Sequence, residues 1–376
     1  MTNVVIAGYA RSPFHFASKG GLARVRPDDL TAQVVRALIE RTKVRPQDIE
    51  DLILGCAFPE GEQGLNVGRL VALLADLPLT VAGMTVNRFC GSSMQSVHIA
   101  AGQIQLGAGE VFICAGVESM SRVPMSGFNP LLNPALAEIG AYISMGDTAE
   151  NVARKWQITR AQQEQFAVRS HARAAAAQAA GRLAAEIAPI KANGKTIDAD
   201  GCIRADTTAE VLAGLKPAFD KEGTVTAGTS SPLTDGAAAV LVCSESYAER
   251  HGLEPLARLK SVAVAGCAPE IMGIGPVVAT KKVLARSGIA MDAIEVVELN
   301  EAFASQALAC AHDLGIRDET LNIDGGAIAL GHPLGATGAR ITGKAASLLH
   351  RERGRYALAT QCIGGGQGIA TLLERI

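Results

Sequence analysis

The chain has 376 residues, with 35 Lys and Arg against 37 Asp and Glu, and its composition is 48% hydrophobic and 19% charged. These proportions are typical of a folded chain of two or three domains, and they exclude a disordered protein. A net charge of −2 without any basic run, together with only 4% aromatic residues, argues against binding to nucleic acid or to a membrane surface. No apolar stretch reaches the length of a membrane span.

The first third of the chain alternates short β-branched runs with helical stretches, which is typical of an α/β fold. Strands are predicted at residues 4–8, 51–55 and 111–115, and a helix is predicted at 27–41, where a Pro and two Asp residues open the first turn. The start of the chain lacks the charged head and long apolar core of a signal peptide, so we expect a cytoplasmic protein.

Residues 121–231 have a different character from the segments on either side. Pro and Gly interrupt their first part, a helix is predicted at 159–180 with Gly181 after its end, and a hairpin is predicted within 191–201. We expect an inserted segment that covers a substrate, with a simple surface excursion as the alternative.

The last third repeats the themes of the first. Strands are predicted at 256–265, 293–299 and 356–361, and helices at 277–287 and 338–349.

Three similarities indicate an internal duplication that would bring equivalent loops to one side of the molecule. They pair DLILGC (51–56) with EVVELN (295–300), VFICAGVES (111–119) with YALATQCIGGG (356–366), and the turn at Cys90 with the loop at His332.

Cys90 lies in the motif NRFCGSSMQ, between a β-like run and an Ala-rich helix. A thiol at the start of a helix lies in the positive field of the helix dipole, which predicts a lowered pKa and a nucleophilic thiolate. The alternative is a buried cysteine at a helix start. None of the eight cysteines forms a CxxC pair, so neither a zinc site nor a disulfide framework is expected.

Three further motifs place polar residues at predicted strand ends or in Gly-rich loops. Asn300 begins NEAF after an apolar run and is either a site residue or a helix cap. His332 lies in the Gly-dense loop GGAIALGHPLG. It is either a site residue held by the backbone of that loop or a histidine with a structural role. Cys362 precedes a Gly-rich turn whose free N–H groups could bind an oxyanion, and this turn lacks the Lys-Ser/Thr ending of a nucleotide phosphate loop.

Taken together, these motifs resemble the thiolase family over almost the whole chain. The NxxCxS, NEAF, GHP and CxG motifs of thiolases occur in order, and GDTAENVARK, LKPAFDKEGTVTAG and TAGTSSPLTDGAAA also resemble the family. The NRFCGSSMQ and VPMS forms are most similar to the degradative branch. The resemblance implies a layered αβαβα fold of two duplicated halves, residues 1–120 with 232–254 and residues 255–376, with 121–231 as an inserted loop domain that binds coenzyme A.

The resemblance also implies a role for each motif residue. Cys90 would be the acylated nucleophile, and His332 would deprotonate it and face the thioester oxygen. Asn300 would hold a water in that oxyanion hole. Cys362 would shuttle a proton at the substrate α-carbon or the incoming thiol, and the backbone N–H groups of Cys90 and Gly364 would form a second oxyanion hole.

The same resemblance implies the residues of the coenzyme A and acyl pocket. Arg204 would lie near the adenine and Ser231 near the pantetheine, and Phe219, Met145, Ala302 and Phe303 would form the pocket wall. One departure concerns the position before Met145, which is a His in many short-chain thiolases and is Ser144 here. A preference for short acyl chains is therefore not implied.

The implied reaction is the cleavage of a 3-ketoacyl-CoA by coenzyme A, a ping-pong acyl transfer in fatty-acid β-oxidation. It uses coenzyme A as a substrate and needs neither a metal nor a bound cofactor. The resemblance further implies a homodimer or homotetramer, with a hydratase/dehydrogenase as a possible partner subunit.

Three alternatives stay open at this point, and a fourth, a decarboxylating ketoacyl synthase, is discounted. An acetoacetyl-CoA thiolase would work on C4 substrates or in the condensing direction. A decarboxylating ketoacyl synthase shares the fold, but Cys362 stands where that class has a His or Asn. An inactive scaffold or lipid carrier would not need all four motif residues. A thiol redox sensor would pair the two site cysteines.

Overall fold

The computed structural model describes residues 2–376. The strands are β1 (Val4–Arg11), β2 (His15–Phe16), β3 (Asp51–Gly55), β4 (Ala82–Val86), β5 (Val111–Ser119), β6 (Ile190–Ala192), β7 (Lys195–Ile197), β8 (Thr234–Ser244), β9 (Ala257–Gly266), β10 (Val296–Leu299), β11 (Tyr356–Ile363) and β12 (Gln367–Glu374). The helices are α1 (Pro27–Thr42), α2 (Val67–Leu74), α3 (Ser92–Gln105), α4 (Pro134–Glu138), α5 (Met145–Lys155), α6 (Arg160–Ala179), α7 (Ala209–Ala213), α8 (Glu245–His251), α9 (Gly275–Ser287), α10 (Ala304–Leu314), α11 (Ala327–Leu330) and α12 (Leu334–Arg351). None of the helices in this part of the chain is long and apolar enough to cross a membrane.

The strand order confirms the predicted duplication. In the first half, β4, β3 and β5 are parallel neighbours, and β8 and then β1 follow as antiparallel neighbours. In the second half, β10 and β11 are parallel, and β12 and then β9 follow as antiparallel neighbours. A parallel bridge from Val297 to Leu321 occupies the position that β4 holds in the first half. The halves meet where β1 pairs with β9.

Helices cover both halves of the sheet and also separate them, which gives the predicted αβαβα layers. Helices α1 and α2 pack on the outer face of the first half, and α9 and α10 pack on the outer face of the second. Helices α3 and α12 lie side by side in the middle layer and contact strands of both halves. Their shared core includes Met94, Val97, Ile341, Ala345 and Leu349.

Helix α12 begins at Leu334, one turn before the predicted start, directly after His332 and Pro333. Nearly all of its residues are buried, because it packs against both halves of the sheet and against α3. Small residues allow this close approach. At Gly338 a Cβ atom would overlap the backbone of Met94 in α3. The two middle helices therefore begin in direct contact.

The inserted segment contains the predicted helix and hairpin. Thr159 caps α6 with a capping box, and Gly181 beyond its end has a φ of +74°. Asn193 and Gly194 join β6 to β7 with φ values of +50° and +74°, as a two-residue hairpin turn requires. The chain re-enters the sheet at β8.

Candidate active site

The Cys90 turn joins β4 to α3 and is stabilised by hydrogen bonds of the Ser92 hydroxyl. The backbone N–H of Arg88 donates to Ser92 Oγ at 2.9 Å, and Ser92 Oγ donates to the Phe89 carbonyl at 2.6 Å. Phe89 takes a φ of +43°, which is uncommon for a bulky residue and marks a tightly held turn. Gln361 Nε2, from the second half of the molecule, donates to the Cys90 carbonyl. The turn therefore presents Cys90 immediately before the N-terminus of α3.

The predicted lowering of the Cys90 pKa is wrong. Burial raises the pKa of the Cys90 thiol to about 11, because desolvation outweighs the backbone N–H groups that favour the thiolate. The residue keeps partial exposure, but its sulfur is surrounded by protein atoms. The thiol is therefore protonated at neutral pH and needs a base to become a nucleophile.

Gly364 lies against the Cys90 thiol. The backbone N–H of Gly364 and that of Cys90 itself both donate toward the sulfur, and both act to lower its pKa. Gly365 and Gly366 follow with φ values of +79° and +85°, which favour glycine and turn the chain tightly into β12. The two N–H groups predicted to form one oxyanion hole are thus adjacent at the sulfur.

His332 is buried, and its hydrogen bonds determine its tautomer. Its Nδ1 lies 2.6 Å from Thr337 Oγ1, and that hydroxyl donates to the Pro333 carbonyl at 3.1 Å. Since the hydroxyl proton is used, Nδ1–H donates to Thr337 and Nε2 carries the lone pair. Burial, and then the charge of Arg340, lower the His332 pKa to about 3, so the imidazole is neutral at neutral pH.

Asn300 follows β10 and contacts His332. Its backbone N–H donates to the Thr360 carbonyl at 3.0 Å, and its Nδ2 lies 3.3 Å from His332 Nε2. Its Oδ1 is buried and has no hydrogen-bond partner within residues 2–376. The helix-cap alternative is wrong, because α10 has Phe303 as its N-cap residue. The Asn300 side chain therefore contacts His332 through Nδ2 and has an acceptor oxygen that no described residue uses.

Cys362 is fully buried within β11, where it pairs with Gly368 of β12. Burial raises its pKa well above the usual value, and the negative charge of a Cys90 thiolate raises that pKa further. Both site cysteines are thiols at neutral pH.

The starts of α3 and α12 bring the nucleophile turn and the histidine loop together. The backbone N–H of Ala339 donates to Ser93 Oγ at 2.8 Å, which joins the second turn of α12 to the first turn of α3. Both helix N-termini add positive field to the same small region. Anionic character that develops there is stabilised.

Five of the six predicted binding residues gather around one apolar wall beside the cysteines. Met145, Ala302, Phe303 and Cys362 belong to one cluster, and Met145 lies close to Gly364. Phe219 packs edge-on against Phe303 with ring centroids 5.9 Å apart, and the backbone N–H of Ser231 donates to the Ala302 carbonyl at 3.0 Å.

Arg204 lies elsewhere, on the surface of the inserted segment. Its guanidinium stacks over the Phe16 ring at 5.1 Å from the ring centroid, and its backbone N–H donates to His171 Nδ1 at 3.1 Å. Contacts among the described residues do not join Arg204 to the apolar wall.

Two buried glutamates were missed as site residues by the sequence analysis. Glu118 near the end of β5 accepts a hydrogen bond from Gly335 N–H of the histidine loop at 2.9 Å. Glu301, next to Asn300, accepts from Ser170 Oγ at 2.6 Å and Asn322 Nδ2 at 2.7 Å. Each is an acidic residue that comes at or just after the carboxyl end of a buried strand, a pattern that could have revealed both.

The fold and this gathering of two cysteines, a histidine and an asparagine define a thiolase-type site, and comparison with known families agrees. Residues 4–246 match the model of the thiolase N-terminal domain, and residues 253–375 match that of the thiolase C-terminal domain. The chain belongs to the thiolase family.

Several curated relatives are similar over the full length of both chains. A protein of Marinobacter nauticus named 3-ketoacyl-CoA thiolase is 49% identical over 387 residues, which cover 100% of this chain and 98% of that protein. Proteins of the same name from Bacillus subtilis and Shewanella frigidimarina are 47% identical over 392 residues and 49% identical over 389 residues, with full coverage of both chains in each case.

Proposed function

We propose that this thiolase-family chain is an acetyl-CoA C-acyltransferase that cleaves 3-ketoacyl-CoA with coenzyme A in fatty-acid β-oxidation. The observation that carries the proposal is the Cys90 thiol, which receives the N–H groups of Cys90 and Gly364 and has Cys362 beside it. The full-length similarity to proteins named 3-ketoacyl-CoA thiolase supports the substrate class.

The first half-reaction forms an acyl-enzyme. His332 Nε2 accepts the Cys90 proton, and the sulfur attacks the C3 carbonyl of the substrate. The N–H groups of Cys90 and Gly364 stabilise the resulting oxyanion, each donor by about 3–4 kcal/mol. The bond between C2 and C3 then breaks, the acyl group stays on Cys90, and Cys362 protonates the carbon of the acetyl-CoA enolate.

The enolate needs its own stabilisation while that bond breaks. His332, which carries the Cys90 proton on Nε2 in this step, and the Asn300 amide, whose Nδ2 lies 3.3 Å from that nitrogen, support a second oxyanion hole at the thioester oxygen. In the second half-reaction, Cys362 takes the proton of the incoming coenzyme A thiol, and the resulting thiolate attacks the acyl carbonyl. The Cys90 sulfur leaves and takes back its proton from His332, while the acyl group departs as a shortened acyl-CoA.

The resting site supports this order of events. A thiol with a pKa of about 11 and an imidazole with a pKa of about 3 are both neutral at neutral pH. Charge separation between them becomes favourable only when a substrate carbonyl consumes the thiolate. Such a site protects its cysteine between turnovers, since the thiolate is the reactive form.

Residues 121–231 are proposed as the domain that binds coenzyme A, inserted between residues 1–120 and 232–254 of the first half, with 255–376 as the second half. The contact of Ser231 with Ala302 and of Phe219 with Phe303 supports a binding wall at the junction of this segment with the NEAF loop. In this proposal Ser231 meets the pantetheine arm, and Arg204 meets the nucleotide end.

We further propose a homodimer that forms along β4. This strand is an edge of the main sheet, and the adjoining surface carries large exposed apolar side chains, among them Leu65 and Leu79, which are 90% and 79% exposed. An edge strand beside an apolar patch is a liability in a monomer, and a second copy of the chain covers both. A tetramer, a hydratase/dehydrogenase partner subunit, the absence of a bound cofactor and a cytoplasmic location stay predictions.

Thiolysis of C4, C8 and C16 3-ketoacyl-CoA, with the acyl-enzyme followed by mass spectrometry, tests the function. We expect an acyl adduct on Cys90 and turnover of C8 or C16 at a rate at least equal to that of C4. Turnover confined to C4 would favour an acetoacetyl-CoA thiolase, and no adduct with any chain would favour an inactive scaffold.

A further inference from the structure

Glu118 is a buried carboxylate without a cationic partner among residues 2–376. It is 1% exposed and lies one residue before the end of β5. An unpaired buried charge costs several kcal/mol unless hydrogen bonds compensate for it. The donors to Glu118 are neutral. Burial raises the pKa of this carboxyl, and the oriented N–H groups oppose that rise and favour the charged form.

Besides a contact from the Cys56 thiol to Oε1 at 3.8 Å, four N–H hydrogen bonds to the two Glu118 oxygens come from two separate loops. Oε1 accepts from the Phe58 N–H at 3.2 Å and from Gln63 Nε2 at 2.9 Å. Oε2 accepts from the Ala57 N–H at 2.8 Å and from the Gly335 N–H at 2.9 Å. Gly335 belongs to the histidine loop, whereas the other donors belong to the loop after β3. One carboxylate therefore joins the two loops.

The loop after β3 in turn holds the Cys90 turn. Asn87 Nδ2 donates to the Ala57 carbonyl at 3.0 Å, and the Phe58 and Phe89 rings lie 6.0 Å apart. Asn87 Oδ1 also accepts from the Phe89 N–H at 2.8 Å. A displacement of Ala57 or Phe58 would therefore move the residues that lead into Cys90.

On its other side, Glu118 acts at the first turn of α12. Gly335 is three residues after His332, and a Cβ atom at this position would overlap the Val117 carbonyl and the Cys56 backbone. The histidine loop thus lies directly on the ends of β3 and β5, with the Gly335 N–H directed at the carboxylate. Without that bond, the loop would keep its packing, the hydrogen bond from the His332 N–H to Thr234 Oγ1 at 3.1 Å and that from the Ala339 N–H to Ser93 Oγ at 2.8 Å, but it would lose its connection to the loop after β3.

We propose that Glu118 is a positioning residue that fixes His332 relative to Cys90 by binding both of their loops through one carboxylate. Any relative movement of the loops breaks a charge-assisted hydrogen bond in a dry interior, where such bonds are strong. This inference rests on the proposed acyl transfer, because it concerns the geometry between the nucleophile and its base.

The same charge also acts on the Cys90 sulfur. Glu118 raises the Cys90 pKa, in the same direction as burial, while the N–H groups of Gly364 and Cys90 oppose both. The other titratable groups around the sulfur are Cys362 on β11 and Arg88 in the Cys90 turn itself, and the His332 imidazole is neutral. Removal of the Glu118 charge should therefore make the thiolate easier to form.

The Glu118→Gln and Glu118→Ala variants separate positioning from a structural role. Loss of positioning should slow Cys90 acylation, whereas loss of the Glu118 charge should make the Cys90 thiolate easier to form. We expect Glu118→Ala to lower the rate of Cys90 acylation about 100-fold, which is the scale of a 1 Å displacement of a catalytic group. Glu118→Gln keeps one acceptor oxygen but turns an NH2 group toward N–H donors, and we expect about a 10-fold loss. KM for coenzyme A should change less than twofold in both variants.

The second measurement is the pH midpoint of Cys90 alkylation by iodoacetamide. It should move to lower pH in both variants, so that the thiol becomes more available while acylation becomes slower. Glu150→Gln is the matched control, because Glu150 is also buried and accepts backbone N–H groups, of Thr224 and Val225, at 3.0 Å and 2.8 Å but bonds neither catalytic loop. Its midpoint should match that of the wild type.

Folding is checked by thermal unfolding, and if Glu118→Ala does not fold, Glu118→Gln decides. Acylation of the Glu118 variants within threefold of the wild type, or an unchanged alkylation midpoint, would overturn the inference. The proposed function would still stand in that case, provided that the wild type is acylated. Absence of wild-type acylation would remove the proposed function, and this inference with it.

Discussion

The connection from β5 to β8 and the connection from β11 to β12 are equivalent in the two halves, yet the first spans residues 120–233 and the second spans only 364–366. The long connection contains four helices and a hairpin and offers surface for a large ligand. The short one contains only glycines and directs a backbone N–H at the Cys90 sulfur. A duplicated framework has thus diverged at one equivalent point into a long segment with helices of its own and a turn of three glycines. In the proposed function the first binds coenzyme A and the second contributes to the reaction.

A second pair of equivalent elements differs in a similar way. The turn before α3 carries a thiol, and the loop before α12 carries an imidazole, and the two helices begin in contact. Each half alone would hold only one member of the reacting pair. The comparison teaches that the site depends on the junction of the halves, so that changes on either side should affect one reaction.

The largest expected effect comes from the thiol of the first half. Cys90→Ala should abolish the covalent acyl adduct in a mass measurement of the protein after it is mixed with acyl-CoA, because no other group in this arrangement has the two N–H donors at its sulfur. An adduct retained on another residue would show that Cys90 is not the nucleophile.

The next effect separates the two cysteines. Cys362→Ser should still accept an acyl group from acetyl-CoA, because Cys90 and its N–H donors remain. Turnover and deuterium exchange at the acetyl α-carbon should fall by at least about 100-fold, since a serine hydroxyl has too high a pKa to shuttle protons near neutral pH. Rapid exchange, or loss of acylation in a folded variant, would contradict this division of roles.

Buried histidines of both halves should make the protein sensitive to acid. The pKa of His332, and that of His98 on α3, are lowered to about 3 by burial. Between pH 3 and 6.5 the unfolded chain binds protons that the folded chain does not, so each histidine should reduce the free energy of unfolding by about 1.4 kcal/mol per pH unit below 6.5.

Thermal unfolding of His98→Asn and His332→Asn between pH 4 and 7 measures this effect. Each variant should lose part of the acid dependence, but only His332→Asn should also lose acylation. Equal acid dependence in the wild type and both variants would mean that neither histidine is held neutral by the fold.

The short glycine turn should tolerate less change than the long connection. Gly366→Ala would place a Cβ atom against the Cys267 carbonyl and Pro269 at a φ of +85°, with an expected loss of about 3 kcal/mol in the free energy of unfolding. Gly181→Ala, at a φ of +74° with nothing within 4 Å, is the matched control, with an expected loss of about 1 kcal/mol. Similar losses measured by denaturant unfolding would show that the turn is not tightly packed.

The sequence predicted the α/β class, the duplication and most strands and helices, because hydrophobic periodicity and helix-end residues are local signals. It also predicted Cys90, His332 and Cys362 as neighbours, because equivalent strand ends meet at one edge. It failed on the pKa of Cys90, since desolvation depends on the surrounding packing. It also missed Glu118, whose hydrogen-bond donors come from segments far apart in the chain.

The smallest expected effect concerns the long connection, at the residue that the structure leaves furthest from the apolar wall. Arg204 is exposed and stacks on Phe16, and a contact with the nucleotide end of coenzyme A would be worth about 1–3 kcal/mol. Arg204→Ala should therefore raise KM for coenzyme A about 10-fold with little change in kcat, because binding is lost equally in the ground state and the transition state.

Lys19→Ala is the matched control for Arg204→Ala, because Lys19 Nζ lies 4.9 Å from the centroid of the same Phe16 ring. If KM rises only in Arg204→Ala, the effect belongs to the ligand contact and not to the packing on Phe16. An equal rise in both variants would assign it to the shared ring, and a fall in kcat with unchanged KM would place Arg204 outside the coenzyme A site. In that last case the inserted segment would have to bind the nucleotide through other residues.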